Sequence, residues 1–129
     1  MSIAYACILV AFALPYLWAV IAKRAGERYD NRDPRGWMQR QSNPLVHRAN
    51  AAQANAFEAF APFAAGVLMA QLAGVDPARI STLSMLFVGL RIGHGLAYVA
   101  NRQLWRSIAW LGGWLCVIVL MILAIAAIG

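Results

Sequence analysis

The chain has 129 residues, of which 62% are hydrophobic and 12% charged. A soluble domain carries about 25% charged residues, and here the charges avoid four apolar stretches, each long enough for a transmembrane helix, so a water-soluble globule is excluded. The net charge of +6 comes from loop residues and not from one basic face of a soluble fold, which argues against a nucleic-acid partner.

The first apolar stretch covers residues 3–22. Only Met1 and Ser2 precede it, and Lys23 and Arg24 follow it. A cleaved signal peptide has the opposite arrangement, with positive charge in front and small residues behind, so this stretch reads as a retained helix. Pro15 lies mid-span, where membrane helices tolerate a kink. Residues 25–42 are polar and punctuated by Asn31, Asp33-Pro34 and Gly36. This segment is too long for a tight turn and has the length to cover something, with Trp37 and Met38 able to dip into the interface.

Asn43-Pro44 has the form of an N-cap followed by proline at the first helical position. A second helix over 44–73 would be about 45 Å long at 1.5 Å per residue, enough to project beyond the hydrocarbon. Gly74, Asp76 and Pro77 repeat the punctuation and open a third helix over 78–100. The fourth, over 107–128, carries Trp110 and Trp114 and no charge after Arg106, and reads as scaffold. Together these predict an all-α integral membrane four-helix bundle of up-down topology, one domain over residues 1–129. Cys7 and Cys116 both lie inside apolar runs as packing residues. They form no C-x-x-C pair, and no metal is expected.

Basic residues set the orientation. Lys23, Arg24, Arg28, Arg32, Arg35, Arg40 and Arg48 belong to the first connection, Arg79 alone to the second, and Arg102 and Arg106 to the third. Positive loops stay cytoplasmic, so both termini are expected on the non-cytoplasmic side.

Ionisable groups inside a membrane are costly and tend to be paired or functional. Glu58 on the second helix and Arg91 and His94 on the third are the candidates. Asn55 and Glu58 are three apart and share a face, Arg48 lies two turns before Asn55 on the same side, and Gln53 points elsewhere. Arg91, His94, Tyr98 and Arg102 follow at i, i+3, i+7 and i+11, one narrow stripe of a helix. Glu58 and Arg91 are open to two readings, a buried ion pair that fixes helix register or part of a ligand site. Asn50, Gln53 and His94 are equally open to a role as hydrogen-bonding glue between helices.

The segment Gln53-Ala54-Asn55-Ala56-Phe57-Glu58, with Pro62-Phe63, resembles the second-helix signature of the MAPEG family, the membrane-associated proteins of eicosanoid and glutathione metabolism. Arg91-Ile92-Gly93-His94 with Ala97-Tyr98 resembles a second family segment. The resemblance is to bacterial-type members similar to microsomal glutathione transferases, and it implies a bacterial inner-membrane protein. It further implies a homotrimer that binds glutathione between subunits near the cytoplasmic side. On this resemblance Arg48, Gln53, Asn55, Glu58, Arg91, His94 and Tyr98 would bind glutathione, and Arg106, or else Arg102, would stabilise its thiolate. Lys23 and Arg24 match a basic end of the family's first helix and are equally explained by orientation.

The chemistry is consistent with those residue types. Glutathione has two carboxylates and one ammonium, which suit arginines and a glutamate respectively. Its thiol, with a pKa of about 8.5, is mostly protonated at neutral pH, and a nearby guanidinium favours the thiolate. The implied activity is a glutathione-dependent transferase or peroxidase acting on lipophilic electrophiles in the surrounding lipid. One position departs from the family pattern: the arginine seven residues before the glutamate is replaced by Ala51. That keeps open a non-catalytic relative binding a lipid or other small molecule. A small multidrug transporter is a weaker alternative, because such exporters place their glutamate in the first helix, which is uncharged here.

Overall fold

The ends of the helices are set by a repeated local device, an amide or carboxylate side chain followed by proline. Asp33, Asn43 and Asp76 each precede a proline and accept a hydrogen bond from the backbone N–H of Gly36 (3.0 Å), Leu45 (3.0 Å) and Ala78 (3.1 Å), satisfying donors that a helix N-terminus leaves free. In the computed structural model, which describes residues 1–129, these caps open three of five helices: α1 (Ser2–Ala25), α2 (Pro34–Arg40), α3 (Pro44–Leu72), α4 (Pro77–Val99) and α5 (Gln103–Ile128).

Two helices end in the same way. Gly74, at φ 77°, follows α3, with Val75 N–H donating to Ala70 O and Gly74 N–H to Gln71 O, both at 3.0 Å. After α4 the left-handed position is taken by Asn101 (φ 57°), with Arg102 N–H donating to Ala97 O at 2.7 Å and Asn101 N–H to Tyr98 O at 3.1 Å. Both are Schellman closures, which return the orphan carbonyls of the last turn to the chain.

The structure differs from the sequence expectation at two places. α5 begins at Gln103 and not at 107, because the Asn101 closure leaves a connection of only Ala100–Arg102. The first connection is also not a plain loop, because it contains α2. Trp37 is buried, at 3% exposure, and packs with Ala22, Val46 and Ala49. Its indole N–H donates to Arg28 O at 3.1 Å. Gln41 accepts from Glu27 N–H (2.9 Å) and donates to Trp37 O (3.0 Å). A side chain at Gly26 would collide with both Trp37 and Gln41. In the same connection Arg32 pairs with Asp30 at 2.9 Å and holds that carboxyl below the usual carboxylate range.

α3 is the hub of the bundle. It packs against α1, α4 and α5, while α4 also packs on α5 and on α1. The main core joins all four long helices and includes a stacked Phe63–Phe87 pair with ring centroids 3.9 Å apart. Trp18, fully buried on α1, occupies the space left by the absent side chain of Gly95 on α4. This contact brings α1 against the half of α4 that carries the polar stripe. Helices α1, α4 and α5 are long and apolar enough to cross a membrane. α3 is longer than any of them, at 29 residues, but its N-terminal half carries His47, Arg48, Asn50, Gln53, Asn55 and Glu58.

Candidate functional site

The polar groups of α3 and α4 meet at Arg91. Its side chain is buried (4% exposed), and its guanidinium donates to Asn55 Oδ1 at 2.6 Å. The space for it comes from α5, where Gly113 has no side chain and a Cβ would stand 3.4 Å from Arg91 Cδ. Of the two readings open for Glu58 and Arg91, the ion pair is not formed within the chain. The ion pairs within 4.0 Å are Arg32–Asp30 and Arg40–Asp33, both in the first connection. Glu58 instead is exposed on the single chain and shares with Asn55 and Arg91 a cavity of about 280 Å³ between α3, α4 and α5. The remaining wall is mainly apolar, including Pro62, Phe87, Trp114 and Met121.

A second cavity, of about 240 Å³, adjoins the first and shares Asn55 and Trp110 with it. It is lined also by His94, Tyr98, Arg106 and Ser107. His94 is buried, at 2% exposure, and stands edge-on to Tyr98 with centroids 5.6 Å apart. The Arg106 guanidinium lies over the Tyr98 ring at 4.5 Å, a cation–π contact that holds a cation at the mouth of the groove. The two cavities form one groove, with a carboxylate and a buried guanidinium in one half and an imidazole, a phenol and a second guanidinium in the other.

Three predicted residues lie elsewhere. The stripe on α4 stops at Tyr98, because α4 ends at Val99 and Arg102 has left the helix to become the exposed N-cap of α5. The cation at the foot of the stripe is therefore Arg106, from the next helix. Gln53 lines a separate cavity on the α1 side of α3, with Lys23 and Asn50. Arg48 faces α4, but its Nε–H donates to Val99 O at 3.2 Å, so it ties the start of α3 to the end of α4. Ala51 is half-buried on α3 and brings no charge to the groove.

Reading the last helix as scaffold missed a whole wall. α5 contributes Ser107, Trp110, Gly113, Trp114 and Met121 to the groove. Most of these are apolar and resemble packing residues in sequence. The available signals were Ser107 next to Arg106 and the Gly112-Gly113 pair within an otherwise bulky run.

A bundle with three helices long and apolar enough to cross a membrane, and a polar groove walled by α3, α4 and α5, defines an integral membrane protein. The chain belongs to the MAPEG family, whose family model matches residues 3–126, and so to a group of membrane proteins of glutathione and eicosanoid metabolism. No curated protein and no solved structure matches it.

Proposed function

We propose that the protein is a glutathione-dependent transferase or peroxidase acting on lipophilic electrophiles, with the groove between α3, α4 and α5 as its thiol site. The observation that carries this reading is the composition of the groove. Glu58 has no ion-pair partner within the chain and is available to an ammonium, Arg91 and Arg106 are available to carboxylates or a thiolate, and Asn55 joins the two halves. These groups fit glutathione, which supplies the nucleophilic thiol. Arg106, fixed over Tyr98, would hold negative charge on sulfur, and the apolar wall of the first cavity would receive the lipophilic reactant.

We further propose a single four-helix domain in which α3 crosses the bilayer with the other three, with both termini on the non-cytoplasmic side of a bacterial inner membrane. Assembly as a homotrimer, the family's habit, is supported by Glu58. A carboxylate exposed at membrane depth is costly in lipid, so a ligand and a neighbouring copy are the natural cover. Gln53 faces away from the groove and reaches such a site only from a neighbouring copy.

One observation favours a second reading, a family member that binds without catalysis. Ala51 removes a basic group, and Arg48, one turn earlier, has its Nε spent on Val99 O. Calorimetric titration of the purified protein with glutathione separates the two. Saturable binding together with thiolate absorbance is the outcome of the first reading. With neither signal the enzyme reading falls and the binding one stands.

A further inference from the structure

Arg91 also lines a space much smaller than the groove. It measures about 10 Å³ and lies between α1, α3 and α4, with Ala11 and Leu14 on its α1 side. We propose that it holds one ordered water, which accepts a hydrogen bond from the Arg91 guanidinium and donates one to the backbone carbonyl of Ala11.

Pro15 is what makes Ala11 an acceptor. In an α-helix the carbonyl of one residue takes the N–H of the residue four further on. Pro15, inside α1, has no N–H to give, and its ring pushes that carbonyl aside. Ala11 is 4% exposed and Pro15 is fully buried, so the freed carbonyl lies on the face of α1 turned to the bundle and not to lipid. Membrane helices tolerate such a proline because neighbouring side chains or ordered waters satisfy the freed group, and a carbonyl left unpaired in an apolar setting is costly. Apart from Arg91, every side chain around this space is hydrocarbon. The new partner of Ala11 O therefore has to come from Arg91 or from solvent held by it.

Arg91 supplies the other half. A guanidinium has five N–H donors, and the one hydrogen bond that the Arg91 side chain makes within the chain goes to Asn55 Oδ1. Arg91 borders both the groove and the small space, so its remaining donors have two outlets, and water can reach the small space from the groove side. Size selects the occupant. A water needs about 10–15 Å³ and at least two polar partners, whereas an apolar cavity stays dry. This space meets both conditions, excludes anything larger, and disfavours an anion because a carbonyl oxygen faces it. The kink of α1 and the buried cation of the groove then form one hydrogen-bonded unit. The site goes beyond the glutathione reading, because it lies on the α1 side of Arg91 and α5 takes no part in it.

Two measurements test the proposal. A structure of the protein in lipid nanodiscs, at a resolution that shows ordered solvent, should have one density peak within hydrogen-bond distance, about 2.7–3.2 Å, of both Ala11 O and an Arg91 guanidinium nitrogen. A dry space overturns the proposal, and so does a peak that touches only one of the two groups. The second measurement is a double-mutant cycle on the melting temperature in detergent. Proline is the least favourable residue inside a helix, and Pro15→Ala returns an N–H to Ala11 O. With Arg91 present, the same change takes away the acceptor of the water, so the gain should be small or reversed. In an Arg91→Met background the water has no donor left, and Pro15→Ala should raise the melting temperature by a few degrees more than it does in the wild type. An equal shift in the two backgrounds overturns the proposal. Should Arg91→Met fail to fold, the ordered solvent of the wild type decides. Neither measurement uses glutathione, so this inference and the thiol reading fail separately.

Discussion

The buried Arg91 guanidinium is held by the Asn55 amide oxygen, at 2.6 Å, and not by Glu58 one turn further along α3. A neutral acceptor satisfies one donor and leaves the guanidinium charge for a ligand. Asn55→Ala should therefore orphan a buried cation. Losing a hydrogen bond to a charged group costs about 1.5–3 kcal/mol, visible as a lowered melting temperature in detergent without any ligand. An unchanged melting temperature would show that Arg91 draws its support from elsewhere.

The reverse holds for Glu58. Because it forms no ion pair in the chain, Glu58→Gln should melt close to the wild type. Its loss should appear in glutathione titration, where one charge-assisted bond of about 1.5–3 kcal/mol corresponds to roughly ten- to more than a hundredfold in affinity. A large drop in stability with binding preserved would reverse the assignment and make Glu58 a structural residue.

Arg106 and Tyr98 should act as a unit. Arg106→Ala should spare much of the glutathione binding but raise the pKa of the bound thiol, so the activity profile moves to higher pH. The sign follows from charge: a guanidinium favours the anionic sulfur, and its removal favours the protonated form. Tyr98→Phe keeps the ring under Arg106 and should shift the profile less than Tyr98→Leu. An Arg106→Ala profile superimposable on the wild type would remove Arg106 from the thiolate role.

Gly95→Ala tests the seat of Trp18. An added methyl group meets the indole directly, and overpacking of this kind costs about 1–3 kcal/mol. Trp18→Leu in the same chain should restore part of that stability, because the smaller side chain clears the methyl group. Two additive losses would mean that the contact is not shared.

Orientation can be tested at Gly129. With the proposed orientation, in which positive connections stay cytoplasmic, a reporter active only in the cytoplasm should be silent when fused there. An active fusion would invert the bundle.

The long helices were legible because Asn43-Pro44 and Asp76-Pro77 mark their starts and apolar runs mark their bodies. α2 was not, since seven residues are too few to show a period, and only the Asp33-Pro34 cap and Trp37 hinted at it. The i, i+3, i+7 spacing was right for Arg91, His94 and Tyr98, but extending it to Arg102 ran past Asn101, which ends the helix. The α5 wall was invisible for another reason. Trp110, Gly113 and Trp114 look the same in sequence whether they face a groove or lipid, and the difference is made by what α3 and α4 place opposite them.

The closure at Asn101 limits how the gene can change. Only three residues join α4 to α5, so the direction in which Arg106 points is coupled rigidly to the end of α4. One codon inserted into that turn would break the Asn101 closure and change the direction in which α5 leaves it, carrying Arg106 off Tyr98 and the α5 wall off the groove. Length variation among descendants of this sequence should therefore be found in the Arg28–Asp33 stretch, ahead of the Trp37 anchor, and be rare between Val99 and Gln103.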